Sequence, residues 1–363
     1  MLPKESPAVL MVGNFAQAGP VYGSVGHELA AKLESAGWYV LRTSYHQTRI
    51  LKVMDMLRTS WRARNRFEVA HVELYSGPAF LWGEAVCKVL RWLGKPYVIA
   101  LHGGNLPNFA LKHAQRVHTL LRSAVAVISP SPYLQKTFIG SRPDVQLMPN
   151  ALDLSSYPGR LRKRARPRMI WLRAFRAMYA PETAVASLAR VVPEHPAACL
   201  TMIGPDRKDG SLERTMALAR ELGVYDRISF ITGIPKSEVG AYLDQADIFL
   251  NTSTVDNTPV SVVEALACGL CVVSTNVGGM PHLLREGQDG MLVPPRDAIA
   301  MSSAITRVVA DDGLAAKLSR NALLRATDYD WSNVLPRWNH LLLSARGNNR
   351  VSSSEKVSRE PLA

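Results

Sequence analysis

Twelve short apolar runs recur along the chain, and longer stretches with apolar residues at helical spacing separate them. Continuous apolar runs of this length are typical of parallel strands buried on both faces, while the stretches between them predict helices that cover a sheet. The pattern therefore predicts an α/β protein with two doubly wound domains. The expected strands are 8–13, 38–44, 69–76, 96–103, 124–129 and 145–149, followed by 168–175, 199–205, 228–233, 248–253, 271–275 and 290–294.

Glycines and changes in composition predict where helices and domains end. Helical patterns include 27–36, 212–222 and 237–245, and the expected C-cap glycines are Gly37, Gly94 and Gly223. The predicted units are an N-terminal domain (1–158), a basic linker too charged to be buried (159–168), a C-terminal domain (169–328), a crossover helix (329–345) and a disordered tail (346–363).

The charge of the chain is unevenly distributed. Its 363 residues carry a net charge of +13, but residues up to Arg168 contribute +14 and the remainder −1. No apolar run is long enough for a transmembrane helix, and the N-terminus lacks the pattern of a signal peptide. We therefore expect a cytoplasmic protein, and the basic half suits an anionic membrane surface on the inner face of the plasma membrane or a lipid-diphosphate acceptor. No nucleic-acid partner is expected, since the chain has no aromatic-basic interleaving of the RNA-recognition type.

Three segments of the basic half are candidates for membrane contact. Basic clusters lie at 58–66 and 160–168, and residues 106–122 mix apolar and basic side chains at helical spacing. The segment 106–122 is compatible with a helix lying in a membrane interface, and equally with an ordinary surface helix whose apolar face packs inward.

The segment 251–267 contains the most informative chemistry. A buried strand is expected to end near Ser253, and Thr258 and Pro259 suit the N-cap and first position of the helix that follows. Free amides at a helix start on the carboxyl edge of a parallel sheet are a common phosphate site. Glu264 interrupts an apolar helix, which indicates either a ribose diol bound to its carboxylate or a salt bridge to a neighbouring arginine.

Seven residues separate Asp256 from Glu264, followed by Ala265-Leu266-Ala267-Cys268-Gly269 and later Val277-Gly278-Gly279. This block, with Met148-Pro149-Asn150 and Met202-Ile203-Gly204-Pro205, resembles the retaining GT-B glycosyltransferases of the glycogen-synthase and mannosyltransferase-like group (glycosyl transferases group 1, family 4). The resemblance implies two Rossmann-like domains with a cleft between them and a C-terminal helix that crosses back.

The resemblance also implies roles for single residues in binding a nucleotide-sugar. Glu264 would hold the ribose, Asp256 would lie beside the donor sugar, and Arg173 would neutralise the diphosphate. The amides of Asn257, Thr258 and Val260 would face sugar hydroxyls and diphosphate. The family lysine five residues after the arginine is replaced here by Met178, and Arg176 is a candidate substitute.

Three further positions complete the predicted site. His102 follows a buried strand at the ligand edge and resembles the family histidine that contacts the donor sugar. Gly19 lies in a glycine-rich turn after the first strand, where backbone amides are able to approach an anion. Loops around Gly204 and Gly233 are expected to contact the nucleotide.

The reaction implied by the resemblance is sugar transfer from a nucleotide diphosphate donor to an acceptor hydroxyl, with retention at the anomeric carbon. The acceptor is expected to be a glycan or lipid-linked saccharide of the cell surface. No cofactor or metal is expected. The alternatives are a nucleotide-sugar epimerase of GT-B architecture and a non-enzymatic nucleic-acid-binding protein, neither of which accounts for Asp256 and Glu264 together.

Overall fold

The computed structural model of the chain describes residues 6–15, 25–46 and 48–347 and contains two six-stranded sheets in which every pair of neighbouring strands is parallel. All twelve predicted strands are present. The first sheet has the order β2-β1-β3-β4-β5-β6 and the second the order β12-β11-β10-β7-β8-β9. The strands are β1 Ala8–Val12, β2 Tyr39–Thr43, β3 Val69–Leu74, β4 Tyr97–Leu101, β5 Ala126–Ser129, β6 Gln146–Leu147, β7 Arg168–Leu172, β8 Cys199–Ile203, β9 Ile228–Ile231, β10 Ile248–Asn251, β11 Cys271–Thr275 and β12 Met291–Val293.

Helices cover both faces of each sheet, and the predicted glycines terminate three of them. Gly37, Gly94 and Gly223 have φ values of 89°, 64° and 67°, a left-handed conformation that only glycine adopts without a steric penalty. The α-helices are α1 Val25–Ser35, α2 Arg49–Arg62, α3 Pro78–Trp92, α4 Leu106–Lys112, α5 Ala114–Ser123, α6 Pro132–Phe138, α7 Pro181–Val191, α8 Ser211–Glu221, α9 Val239–Gln245, α10 Val260–Ala267, α11 Met280–Leu283, α12 Ala298–Ala310, α13 Asp312–Ala326 and α14 Trp331–Gly347.

The last helix crosses back to the N-terminal domain, as the sequence predicts. Trp331, Trp338 and Leu342 of α14 are buried in one cluster with Val9 and other residues of the first sheet. The helix continues through Gly347, so residues 346 and 347, predicted to be part of a disordered tail, are helical. Burial of Ala345 holds this last turn in place. Residues 348–363 lie outside the described part of the chain.

Most of the basic segment between the sheets is exposed, but the prediction that it is too charged to be buried is wrong at Arg162. Arg162 is 1% exposed, and its guanidinium donates to the backbone carbonyls of Ala246, at 2.8 Å from Nη2, and of Cys268. Asp247 lies 3.4 Å from its Nε. Carbonyl acceptors and a carboxylate together replace the water that a buried guanidinium loses.

The segment 106–122 is an ordinary pair of surface helices. It breaks at His113 into α4 and α5, and its apolar residues Leu106, Val117, Leu120 and Leu121 are buried in the core of the N-terminal domain. The structure therefore favours the inward-packing interpretation over a helix lying in a membrane. Within the described residues, no helix has the length and apolarity needed to span a membrane.

Candidate functional site

A cleft of about 250 Å³ lies between the domains, where strands β7 and β8 end and helix α10 begins. The N-terminal domain contributes Val25, Glu28 and Ala151 to its lining. The carboxyl edge of a parallel sheet is where open α/β folds bind ligands, because the strand ends and helix starts present free backbone groups there. The C-terminal domain contributes Leu172, Arg173, Ala174, Tyr179, Pro205, Arg207, Lys236, Val239, Val260, Ser261 and Glu264.

Helix α10 presents its N-terminus to the cleft, but its start differs from the prediction. Pro259 occupies the N-cap position and the helix begins at Val260, one residue later than expected. Thr258 does not cap the helix, because its hydroxyl instead donates to the carbonyl of Pro130 at 3.3 Å, across the domain boundary. The first amides of a helix have no acceptor within it, so those of Val260 and Ser261 are available to an anion.

Glu264 lies one turn into α10 and is 4% exposed. Its Oε1 accepts a hydrogen bond from the Tyr157 hydroxyl at 2.8 Å and pairs with the Lys236 ammonium. Burial, followed by the neighbouring Glu264 carboxylate, raises the pKa of Tyr157 well above its usual value, which keeps this phenol a donor. The ionic partner is therefore a lysine from the loop before α9, and the carboxylate still lines the cleft.

Arg173, which directly follows β7, forms a mostly buried ion pair with Asp256. Burial is the largest single effect and would lower the pKa of Arg173, but Asp256, Tyr179 and Glu264 together outweigh it and raise that pKa, so the guanidinium stays charged. Its Cζ lies 4.4 Å from the centre of the Tyr179 ring. The Nε of Arg173 and the hydroxyl of Ser261 are both buried without a hydrogen-bond partner among the described residues, and both residues line the cleft.

The loop 256–258 of the C-terminal domain forms hydrogen bonds with the N-terminal domain. The Ser131 hydroxyl donates to Oδ1 of Asn257, and Nδ2 of Asn150 donates to the Thr258 carbonyl at 3.4 Å. A Cβ on Gly278 or Gly279 would overlap the carbonyl oxygens of Asp256 and Asn257 respectively. The side chains of Asn257 and Thr258 thus hold the domains together, rather than lining the cleft as Val260 does.

The other predicted residues are more scattered. Gly204, which follows β8, is buried beside the carbonyl of Arg173, which follows β7. A side chain at this position would overlap the carbonyl oxygen, so glycine allows the two strand ends to pack closely. Gly233 and Arg176 are exposed and do not line the cleft. Gly19 lies outside the described residues. His102 ends β4 in the N-terminal domain, and its neighbour Gly104 contacts the backbone of Asp256.

Two basic side chains that were not predicted from the sequence also line the cleft. Arg207, four residues after β8, is exposed, and Lys236 is half-buried against Glu264. Both positions fall within the loops that the sequence pointed to, so position along the chain was a usable signal. Arg207 and Lys236 line the cleft, whereas Arg176, the predicted substitute for the missing lysine, does not.

Sequence reasoning also missed Glu73, near the end of β3. Its carboxylate packs against Gly13 and Gly26, where a Cβ would overlap it, and accepts a hydrogen bond from the Tyr75 hydroxyl at 3.2 Å. Burial raises the pKa of Glu73 to about 7. An acid in the apolar strand 69–74 was the available signal, the same signal that drew attention to Glu264.

His102 lies beside this acid in a small cavity that both residues line. Tyr75 stacks on the His102 ring, with ring centres 5.1 Å apart and planes at 22°. Burial lowers the pKa of His102 to about 4, so the imidazole is neutral at pH 7. A neutral histidine, a poised carboxylate and a phenol suit hydrogen bonding to uncharged hydroxyls. Among residues 6–15, 25–46 and 48–347, no group of three or more His, Cys, Asp or Glu is placed to hold a metal ion.

Comparison with solved structures supports the two-domain architecture. Sucrose-phosphate synthase from Thermosynechococcus elongatus matches with a TM-score of 0.79 and 20% identity, over 93% of this chain and 98% of that one. Anabaena HepE, solved with UDP and glucose, matches with a TM-score of 0.75 and 17% identity, over 93% of this chain and all of that one. At these identities the likeness establishes the fold, which is GT-B.

Sequence comparison shows which known proteins this chain is similar to. A D-inositol 3-phosphate glycosyltransferase from Acidothermus cellulolyticus is 24% identical over 76% of this chain and 66% of its own length. A glycogen synthase from Mycobacterium tuberculosis is 26% identical over 57% of this chain and 50% of its own. The chain thus spans less than two thirds of either relative. Residues 160–325 match the family model of glycosyl transferases group 1, and they form the C-terminal part of a chain with the GT-B fold.

Proposed function

We propose that this protein is a retaining glycosyltransferase that moves a sugar from a nucleotide diphosphate to an acceptor hydroxyl without a metal ion. One observation carries the proposal: a single cleft wall brings together Glu264, the first amides of α10, and Arg173, whose guanidinium pairs with Asp256. The carboxylate of Glu264 suits a ribose, and the amides and the guanidinium suit a diphosphate.

In this proposal the leaving diphosphate is stabilised by fixed positive groups. The α10 amides and Arg173 are already in place before the donor binds, so little reorganisation is needed as charge develops on the phosphate. Arg207 and Lys236 add positive charge to the same cleft in place of the missing family lysine. Asp256, paired with Arg173, would orient the sugar and stabilise positive charge at its anomeric carbon.

The acceptor side is assigned to the N-terminal domain. His102 and Glu73 lie across the boundary from Asp256, and a front-face displacement would pass the acceptor proton to a donor phosphate oxygen. The basic charge of this domain supports a glycan or lipid-linked acceptor of the cell surface and association with an anionic membrane.

Thermal-shift titration with UDP, GDP and ADP tests the donor assignment, with UDP first because HepE was solved with UDP-glucose. We expect a selective rise in the melting temperature for one diphosphate, and slow donor hydrolysis that is unchanged by EDTA. Proton NMR of the first released sugar should show the donor's own anomeric configuration. The opposite anomer would refute retention, and an epimerised nucleotide-sugar would favour the epimerase alternative.

A further inference from the structure

The N-terminal domain presents an apolar and basic surface away from the cleft. Of the sixteen large apolar side chains that are exposed among the described residues, six belong to helices α2 and α3. We call this the α2–α3 surface. Its apolar members are Ile50, Leu51, Met54, Trp61, Leu81 and Trp92.

The spacing of these residues places them on one side of each helix. On α2, Ile50, Met54, Arg58 and Trp61 are four, four and three residues apart, a spacing that repeats on one helix face. On α3, Leu81 and Trp92 lie eleven residues apart, which is three full turns. Helix α2 therefore carries an outward apolar row that ends in Trp61, and α3 carries an exposed leucine near its start and Trp92 at its end.

The two tryptophans join the helices into one surface. Their rings stack with centres 4.9 Å apart and planes at 15°, and the Arg64 guanidinium lies 4.7 Å from the Trp61 ring centre. Trp92 nonetheless remains 71% exposed and Ile50 75% exposed. Side chains of this size lose stabilising burial when left in water, so a contiguous group of them marks a contact surface.

The charge around the apolar rows has one dominant sign. Residues 49–66 and 78–92 contain eight basic and two acidic side chains. Of the two acids, Glu84 is paired with Arg116 and Asp55 accepts hydrogen bonds from threonines. Arg58 and Arg62 are exposed at the tryptophan end of α2. The surface is thus apolar at its centre and cationic around it.

We propose that the α2–α3 surface is where this protein docks on an anionic lipid bilayer. Tryptophan favours the membrane interface, aliphatic side chains enter the acyl boundary, and each basic side chain near anionic headgroups adds attraction. The inference rests on the membrane association proposed above and locates it at the basic cluster 58–66, replacing the 106–122 segment that the sequence also suggested. Helices α2 and α3 run back from the carboxyl edge of the sheet, so their tryptophan ends lie at the edge away from the cleft.

Other occupants fit less well. A symmetric contact with a second copy would bring like charges together. A nucleic acid would gain from the arginines and tryptophans but would leave exposed aliphatic groups such as Ile50 and Met54 unburied.

Flotation with phosphatidylcholine vesicles containing 30% phosphatidylglycerol, at 150 mM salt, tests the proposal. We expect wild-type protein to float with these vesicles and not with pure phosphatidylcholine. Trp61→Ser with Trp92→Ser should weaken partitioning at least tenfold. Leu111→Ser, at an 83% exposed position on α4, is the matched apolar control and should leave it unchanged.

A second pair of variants separates local from net charge. Arg58→Gln with Arg62→Gln should lower partitioning by about 25-fold, at ~1 kcal/mol per basic group. Lys112→Gln with Arg122→Gln removes the same charge from exposed positions on α4 and α5, and should change it by less than about threefold. Melting temperatures confirm that each variant is folded.

Three results would overturn the proposal: equal flotation with and without anionic lipid, equal losses in both charge pairs, or unchanged flotation of the double tryptophan variant.

Two further measurements would assign the surface to another partner. If the protein does not bind vesicles but sedimentation shows self-association that the double tryptophan variant abolishes, the surface contacts a second copy. Capture of a single-stranded oligonucleotide without vesicle binding would assign it to nucleic acid. Nucleotide thermal shifts on the same samples report the donor site separately, so either proposal is able to fail while the other stands.

Discussion

Glu264→Gln tests whether this buried carboxylate holds a ribose or serves only as the ionic partner of Lys236. The substitution keeps the size of the side chain and one carbonyl oxygen but removes the charge. Both explanations predict some loss of stability, because Oε1 bonds to Tyr157 and Lys236 in either case. Only the ribose explanation predicts a change that depends on the hydroxyls of the nucleotide.

The magnitude follows from the surroundings of the carboxylate. Its side chain is 5% exposed, and a hydrogen bond to a charged group contributes about 1.5–3 kcal/mol, which is roughly 10- to 150-fold in affinity. We therefore expect the affinity for the nucleotide diphosphate to fall by about 10- to 100-fold. The Lys236 side chain is 28% exposed and is able to regain water, so the free energy of unfolding should fall by only about 1–2 kcal/mol.

Calorimetric titration with UDP and 2′-deoxy-UDP separates the explanations, provided that UDP is the diphosphate selected in the thermal-shift screen. Wild-type protein should prefer UDP by about tenfold, and Glu264→Gln should reduce that preference to within about twofold. Tyr157→Phe is the matched control, since it removes the hydroxyl that bonds to the same oxygen but leaves the carboxylate, and it should retain the preference. An unchanged preference in Glu264→Gln would refute the ribose assignment and leave Glu264 as a structural ion-pair residue.

Three further predictions concern other parts of the site. Asp256→Asn should lower donor turnover by about 100-fold or more, because the partner of Arg173 loses its charge at the sugar; turnover within threefold of wild type would contradict this in a hydrolysis assay. Gly204→Ala should lower the melting temperature by several degrees and weaken diphosphate binding, because its Cβ overlaps the Arg173 carbonyl, whereas Gly140→Ala, with open space around it, should do neither. Burial raises the pKa of Glu73 to about 7, so the folded protein keeps a proton that the unfolded chain releases above about pH 4.5. The stability that this proton contributes is therefore lost as pH rises through 7. Urea unfolding should show wild type losing roughly 3 kcal/mol relative to Glu73→Gln between pH 4.5 and 8, and parallel pH curves would count against it.

Much of the fold was predictable from local pattern. Parallel strands buried on both faces are continuous apolar runs, so most of the twelve appear in the sequence as such; the edge strand β6, with Gln146 exposed, does not. The glycines at 37, 94 and 223 identify helix ends because their left-handed φ is a local backbone property. The crossing-back helix was predictable because Trp331 and Trp338 need a surface against which to be buried.

The site was predictable only where a residue's own context was unusual. Glu264 stands out in an apolar helix, and the structure places it in the cleft with Arg173. Lys236 and Arg207 carry no such signal, since a basic residue in a loop is ordinary until the fold brings it to the cleft. The hydroxyl of Thr258 has the chemistry of an N-cap, but a carbonyl of the other domain, at Pro130, competes for it.

The sequence by itself determined the two sheets and the helix ends and singled out the two acids of the candidate site, because these depend on apolar periodicity, backbone conformation and the cost of burying a charge. Only the tertiary structure decided which charges are solvated. It buried Arg162 of a segment that seemed too basic to bury, packed the 106–122 segment inward, and left Trp61 and Trp92 stacked in solvent. Burial depends on which surfaces meet across hundreds of residues, and no local pattern contains that information.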